Sequence, residues 1–157
     1  MNLQEMVQGA GSIFIGTVTE ARGAVERGEY VTVSTFKIEQ TIKGTLPSTY
    51  VVRQYGGRVG DRGMVVPHIR YFRTGERVLV MLYPPSAIGF TNPVGLNQGI
   101  WSITSGGAVS GVTDEALKGL GWLVQKYRLS NAESQTIARG TFISMIRDLM
   151  QGAGGGK

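Results

Sequence analysis

Glu29–Lys43, EYVTVSTFKIEQTIK, is the stretch on which the fold class turns. Tyr30, Thr32, Ser34, Phe36 and Ile38 alternate with Val31, Val33, Thr35, Lys37 and Glu39, the period-two pattern of a strand. Both sets carry apolar residues, as in a long strand that bends between two faces. Lys43-Gly44 ends the run, and Pro47 sits in the turn that follows.

Similar patterns lie on both sides. Upstream, Ser12–Glu20 (SIFIGTVTE) reads as a strand with Ile13, Ile15 and Val18 apolar, and Gly16 marks a bulge or sharp coil. Ala21–Gly28 reads as a charged loop. Before them, Asn2 and Glu5 have capping-box spacing, and Leu3, Met6 and Val7 share one helix face, so a short helix is expected over Leu3–Gly9. Downstream, Thr49–Tyr55 reads as a third strand and Gly56–Thr74 as a glycine-rich loop or irregular hairpin. Glu76–Tyr83 (ERVLVMLY) is almost continuously apolar, which predicts burial on both faces, and Pro84-Pro85 stops it. Gly99–Thr104 reads as a fifth strand, with Ser105-Gly106-Gly107 turning into Ala108–Val112.

From Thr113 the period becomes helical. Thr113 is placed to cap a helix carrying Leu117, Leu120, Val124 and Tyr127, weakened by Gly119 and Gly121. A last helix is expected over about residues 131–150, with Ile137, Phe142, Ile146 and Leu149. The expected architecture is mainly β: a small closed barrel of OB type with five to six strands, a short N-terminal helix and two C-terminal helices. On this reading residues 1–112 are expected to form the barrel, residues 113–151 to pack on it within the same domain, and residues 152–157 to be a flexible tail.

Composition restricts the chemistry. The 157 residues suit one domain, and 24 glycines indicate turns and bulges rather than a helical bundle. With no cysteine, disulfides, thiolate nucleophiles and Cys-based zinc sites are excluded; with one histidine, His68, two-His metal motifs are excluded too. No metal or cofactor is expected. Tyr55–Gly63 (YGGRVGDRG) lacks the Gly-Lys-Ser/Thr of a phosphate loop, and no Gly-x-Ser-x-Gly surrounds a serine. Asp114-Glu115 reads as first-turn dipole compensation rather than an acid pair, so an enzyme is not expected. No apolar run reaches the ~20 residues of a membrane span.

Two surfaces are candidates for binding. Tyr83–Gln98 is a proline-punctuated segment that offers Ile88, Phe90, Val94 and Leu96 either as a lid on the barrel or to a protein partner. Arg53–Arg77 interleaves arginines with aromatics and carries a net charge of +4; Arg58, Arg62, His68, Arg70, Tyr71, Phe72 and Arg73 are its candidates for an anionic partner such as single-stranded nucleic acid. The formal charge of +5 favours anionic partners in general.

Gly11–Thr19 (GSIFIGTVT) followed by Tyr30–Gly44 resembles the first strands of the netrin-like OB barrel of tissue inhibitors of metalloproteinases. The blocks Gly75–Tyr83, Pro93–Gly99 and Ile100–Ile103 extend a similarity to uncharacterised exported bacterial proteins over most of residues 3–112. The resemblance implies an OB-type fold and a binding habit, with a secreted protease as one class of partner. It also implies an extracytoplasmic location, periplasmic or secreted, if a signal peptide has been removed; otherwise the protein is cytoplasmic. Those inhibitors use an N-terminal cysteine on the protease zinc; Met1-Asn2-Leu3 does not match it, so no inhibitory residue is carried across.

Overall fold

Asn2 and Glu5 close a reciprocal capping box: the Asn2 side chain accepts from the Glu5 N–H, and the Glu5 carboxylate accepts from the Asn2 N–H, each at 2.9 Å. This starts α1 (Leu3–Gly9), which buries Leu3, Met6 and Val7. The computed structural model describes residues 1–152. Apart from Gly152, the tail expected over 152–157 lies outside the described residues.

The chain then forms a long hairpin from β1 (Ser12–Glu26) and β2 (Glu29–Lys43). The charged loop expected over Ala21–Gly28 is not there. Its residues continue β1, with Ala21–Val25 opposite Ser34–Tyr30, and only Arg27-Gly28 turns, at φ 52° and 79°. Positive φ at both turn residues matches the right-handed twist of the strands. Charge did not end the strand because its backbone is paired while its side chains project from the hairpin. The bulge expected near Gly16 is present: register shifts between Ile15 and Gly16, where a Cβ would come within 2.9 Å of the Lys37 carbonyl oxygen.

Next come β3 (Thr49–Tyr55), a small hairpin of β4 (Gly57–Val59) and β5 (Arg62–Met64), then β6 (Arg77–Leu82) and β7 (Ile100–Ser102). Five of these make one antiparallel sheet in the order β3-β2-β1-β6-β7. The fold is mainly β, as expected, but the barrel does not close. β3 and β7 remain edges; β7 has only three residues, and the outer edge of β3 meets a single parallel bridge between Arg53 and Phe90. From β3, the buried Gln54 side-chain amide donates to the Arg70 carbonyl at 3.1 Å and to Asn92 Oδ1 at 3.4 Å. These bonds tie two loops to β3 without forming a ladder.

The sheet is buried on both faces at β6, which explains the unbroken apolar run: each residue of Val78–Leu82 is 0% exposed. The inner face gathers Phe14, Val18, Phe36, Val52, Phe72, Val78 and Val80. Phe36 stands edge-on to Phe14 at 5.2 Å and to Phe72 at 4.8 Å between centroids. The other face places Ile13, Ile15, Leu79, Met81 and Trp101 in one core with Leu3 of α1 and with Phe142, Ile146 and Leu149 near the C-terminus.

The C-terminal part departs from two helices. β8 (Val109–Thr113) follows the Gly107 turn (φ 87°), and Thr113 caps α2 (Asp114–Leu117) by accepting from the Ala116 N–H. Gly119, at φ 77°, separates α2 from α3 (Gly121–Lys126). The helix expected from about residue 131 begins only at α4 (Arg139–Gln151), because β9 (Ser134–Ile137) pairs with β8. The partner strand overrides helical spacing there, and Gln135 braces the turn before it through Ser130.

Candidate functional site

The tip of the β1–β2 hairpin, the end of β3 and the loop after β6 converge on a cleft of about 260 Å³ lined by Glu26, Arg27, Glu29, Arg53, Tyr55, Ile88 and Phe90. Tyr55 and Phe90 form its aromatic wall, with ring centroids 4.1 Å apart and planes 14° from parallel. The loop is held in place by backbone. Thr91 N–H donates to the Arg53 carbonyl at 3.1 Å, and Ser86 N–H donates to the Phe90 carbonyl at 2.8 Å. Ser86 Oγ accepts from the Phe90 N–H at 3.1 Å, and Gly89 turns at φ 86°. Ile88 is then left 52% exposed at the rim. Arg53 faces Glu26 at 3.4 Å, both partly solvated, so the cleft carries charge of both signs beside an apolar wall.

Of the four loop residues expected to meet a protein partner, the structure brings Ile88 and Phe90 together. Val94 is fully buried in the helix-side core, and Leu96, exposed at φ 66°, lines no part of the cleft. Arg53, Tyr55 and the hairpin tip complete the site without having been singled out. Arg53 and Tyr55 entered the sequence reading only through the Thr49–Tyr55 strand, the basic stretch Arg53–Arg77 and the glycine-rich Tyr55–Gly63, and no local pattern links Tyr55 to Phe90.

The residues expected to meet an anion are divided. Arg58 and Arg62 are exposed on the β4–β5 hairpin, and His68, at φ 68°, and Arg73 are exposed as well. The other three hold the chain together. Arg70 forms a two-point pair with Glu76, at 2.5 and 3.2 Å. The Tyr71 hydroxyl donates to the Tyr55 carbonyl at 2.6 Å, and Phe72 is 3% exposed in the inner core. The surviving basic surface therefore has no Phe72 face on which a base could stack, and Tyr71 is half-buried with its hydroxyl tied to β3.

A second electrostatic junction lies outside the basic stretch's own loop. Glu39 accepts from Arg77 at 2.9 and 2.7 Å and from Arg139 at 2.5 Å, tying β2 to β6 and α4. The Arg77 and Arg139 guanidiniums hold its carboxyl below the ordinary value of 4.5, against a smaller opposing effect of burial. Among the described residues no group of three or more His, Asp or Glu is placed to hold a metal, and no helix is long and apolar enough to cross a membrane. Comparison with known protein families, curated proteins and solved structures finds no match to the chain.

Proposed function

We propose that this protein is a non-enzymatic, extracytoplasmic binding protein that engages another protein through the cleft at Ile88 and Phe90. The observation that carries the reading is the Tyr55–Phe90 stack forming one wall of an open cleft beside exposed Ile88. An aromatic pair already fixed by a strand and a braced loop loses little side-chain freedom when covered, the property of binding hot spots. The netrin-like resemblance of Gly11–Gly44 supports a secreted partner, with a protease as the first class to try. The nucleic-acid reading keeps Arg58, Arg62, His68 and Arg73 at the surface, but Phe72 is buried and the Tyr71 hydroxyl is held by the Tyr55 carbonyl, so the protein-binding reading is preferred.

The test has two parts. Fractionation of the native cells, with mass spectrometry of the mature N-terminus, is expected to find an exported, processed protein. A photo-crosslinking residue at position 88 is expected to trap one partner in those cells, and Phe90→Ala to weaken that complex by about tenfold or more. A cytoplasmic location removes the extracytoplasmic reading; unchanged binding by Phe90→Ala removes the cleft.

A further inference from the structure

β3 is an edge strand, and its ladder with β2 shows which of its backbone groups point away from the sheet. The Gly56 N–H donates to the Tyr30 carbonyl and the Ile38 N–H to the Ser48 carbonyl, each at 2.8 Å. Between these bonds the register runs from Val31 opposite Tyr55 to Lys37 opposite Thr49 without a shift. In an antiparallel ladder, hydrogen-bonded and non-hydrogen-bonded pairs alternate. Tyr50, Val52 and Gln54 therefore bond to β2, while Thr49, Val51 and Arg53 turn their N–H and C=O groups outward. The Arg53 carbonyl is taken by Thr91. Thr49 and Val51 have no such partner among the described residues.

Within the free stretch itself there is no residue that blocks pairing. Thr49-Tyr50-Val51-Val52 holds no charge, proline, glycine or bulge, and Val51 is 40% exposed. The opposite edge is protected: β7 has three residues, and the next residue, Ile103, donates to the Arg77 carbonyl and bridges to Val109.

We infer that the Thr49–Val52 edge pairs antiparallel with the same edge of a second copy of this chain, about a two-fold axis at Tyr50. Such an axis sets Thr49 opposite the other copy's Val51, and Val51 opposite its Thr49. All four outward N–H and C=O groups of each copy's two residues are then satisfied. The pairing sets two β-formers side by side and opposes no like charges. Its length is limited at both ends, by Pro47 before the strand and by Phe90 on the edge at Arg53. The two five-stranded sheets become one continuous sheet. Thr49 and Val51 do not line the cleft, so the inference stands apart from the binding reading.

Light scattering on the full chain, from micromolar to millimolar protein, tests it. The apparent mass is expected to rise from 16.9 kDa towards twice that value. Val51→Pro removes an outward N–H and no bond to β2, and Val51→Lys places a charge on the edge; both are expected to stay at the mass of one chain with an unchanged circular-dichroism melt. Amide exchange at Thr49 and Val51 is expected to slow as concentration rises. The inference is overturned by a single-chain mass throughout the range, by a dimer that survives in either folded variant, or by a dimer in which those two amides exchange as fast as in the monomer. Should neither variant fold, the two amides of the unaltered chain decide.

Discussion

Tyr55 at the end of β3 and Phe90 in the loop after β6 stack face to face, 4.1 Å apart at 14°. The next residue, Thr91, donates to the Arg53 carbonyl, so the same loop is bound to β3 by ring and by backbone. The pair thus joins the open side of the sheet to the loop that carries Ile88.

If the stack orders that loop, Tyr55 and Phe90 are energetically coupled. A double-mutant cycle with Tyr55→Ala and Phe90→Ala, read by urea unfolding, is expected to give about 0.5–1.5 kcal/mol of coupling. Additive losses would mean that the rings touch without supporting one another.

Gly23 is where the β4–β5 hairpin crosses β1. A Cβ there would lie 1.7 Å from the Arg58 carbonyl oxygen, a backbone atom that cannot swing aside as a side-chain tip can. Gly23→Ala is expected to cost about 3 kcal/mol, towards the upper end of overpacking penalties, and to displace the hairpin. A urea midpoint equal to that of the unaltered protein would contradict this.

Phe36 touches Phe14 and Phe72 edge-on and is fully buried. Phe36→Ala is expected to cost about 3–5 kcal/mol through lost burial and the cavity left behind. Because Phe72 anchors the chain leading into β6, amide protection around Phe72 should fall with it, which hydrogen exchange would show.

Glu39 has a folded-state pKa held below 4.5, so its contribution to stability is complete above that value and is lost as pH falls through the depressed one. Solvent reaches the carboxylate, which keeps the expected cost of Glu39→Gln near 1 kcal/mol at neutral pH. Urea midpoints of the variant and the parent should converge as pH drops below 4.5, and a gap independent of pH would assign the effect to packing.

Much of the architecture is present in local pattern. The Asn2–Glu5 box, the alternation of Glu29–Lys43, the bulge at Gly16, the doubly buried run at Val78–Leu82 and the Thr113 cap all depend on residues close in sequence, and all are found where spacing puts them. The candidate site was legible only in part. Ile88 and Phe90 could be noticed as apolar residues in a long loop, but Val94 has the same character and lies in the core.

A mainly β chain without thiol chemistry or two-His metal chemistry follows from residue order alone, because side-chain periodicity and residue type are properties of short stretches. That Ala21–Glu26 extends β1, that Ser134–Ile137 is a strand, that Phe72 faces inward and that the sheet stays open emerge from the packed fold. Each of these depends on a partner in another segment: the facing strand β2 across the Arg27-Gly28 turn, β8 for β9, Phe36 for Phe72, and Phe90 at the edge of β3. A backbone hydrogen bond or an aromatic contact gains its free energy from where the partner sits in space, and spacing along one segment does not contain that position.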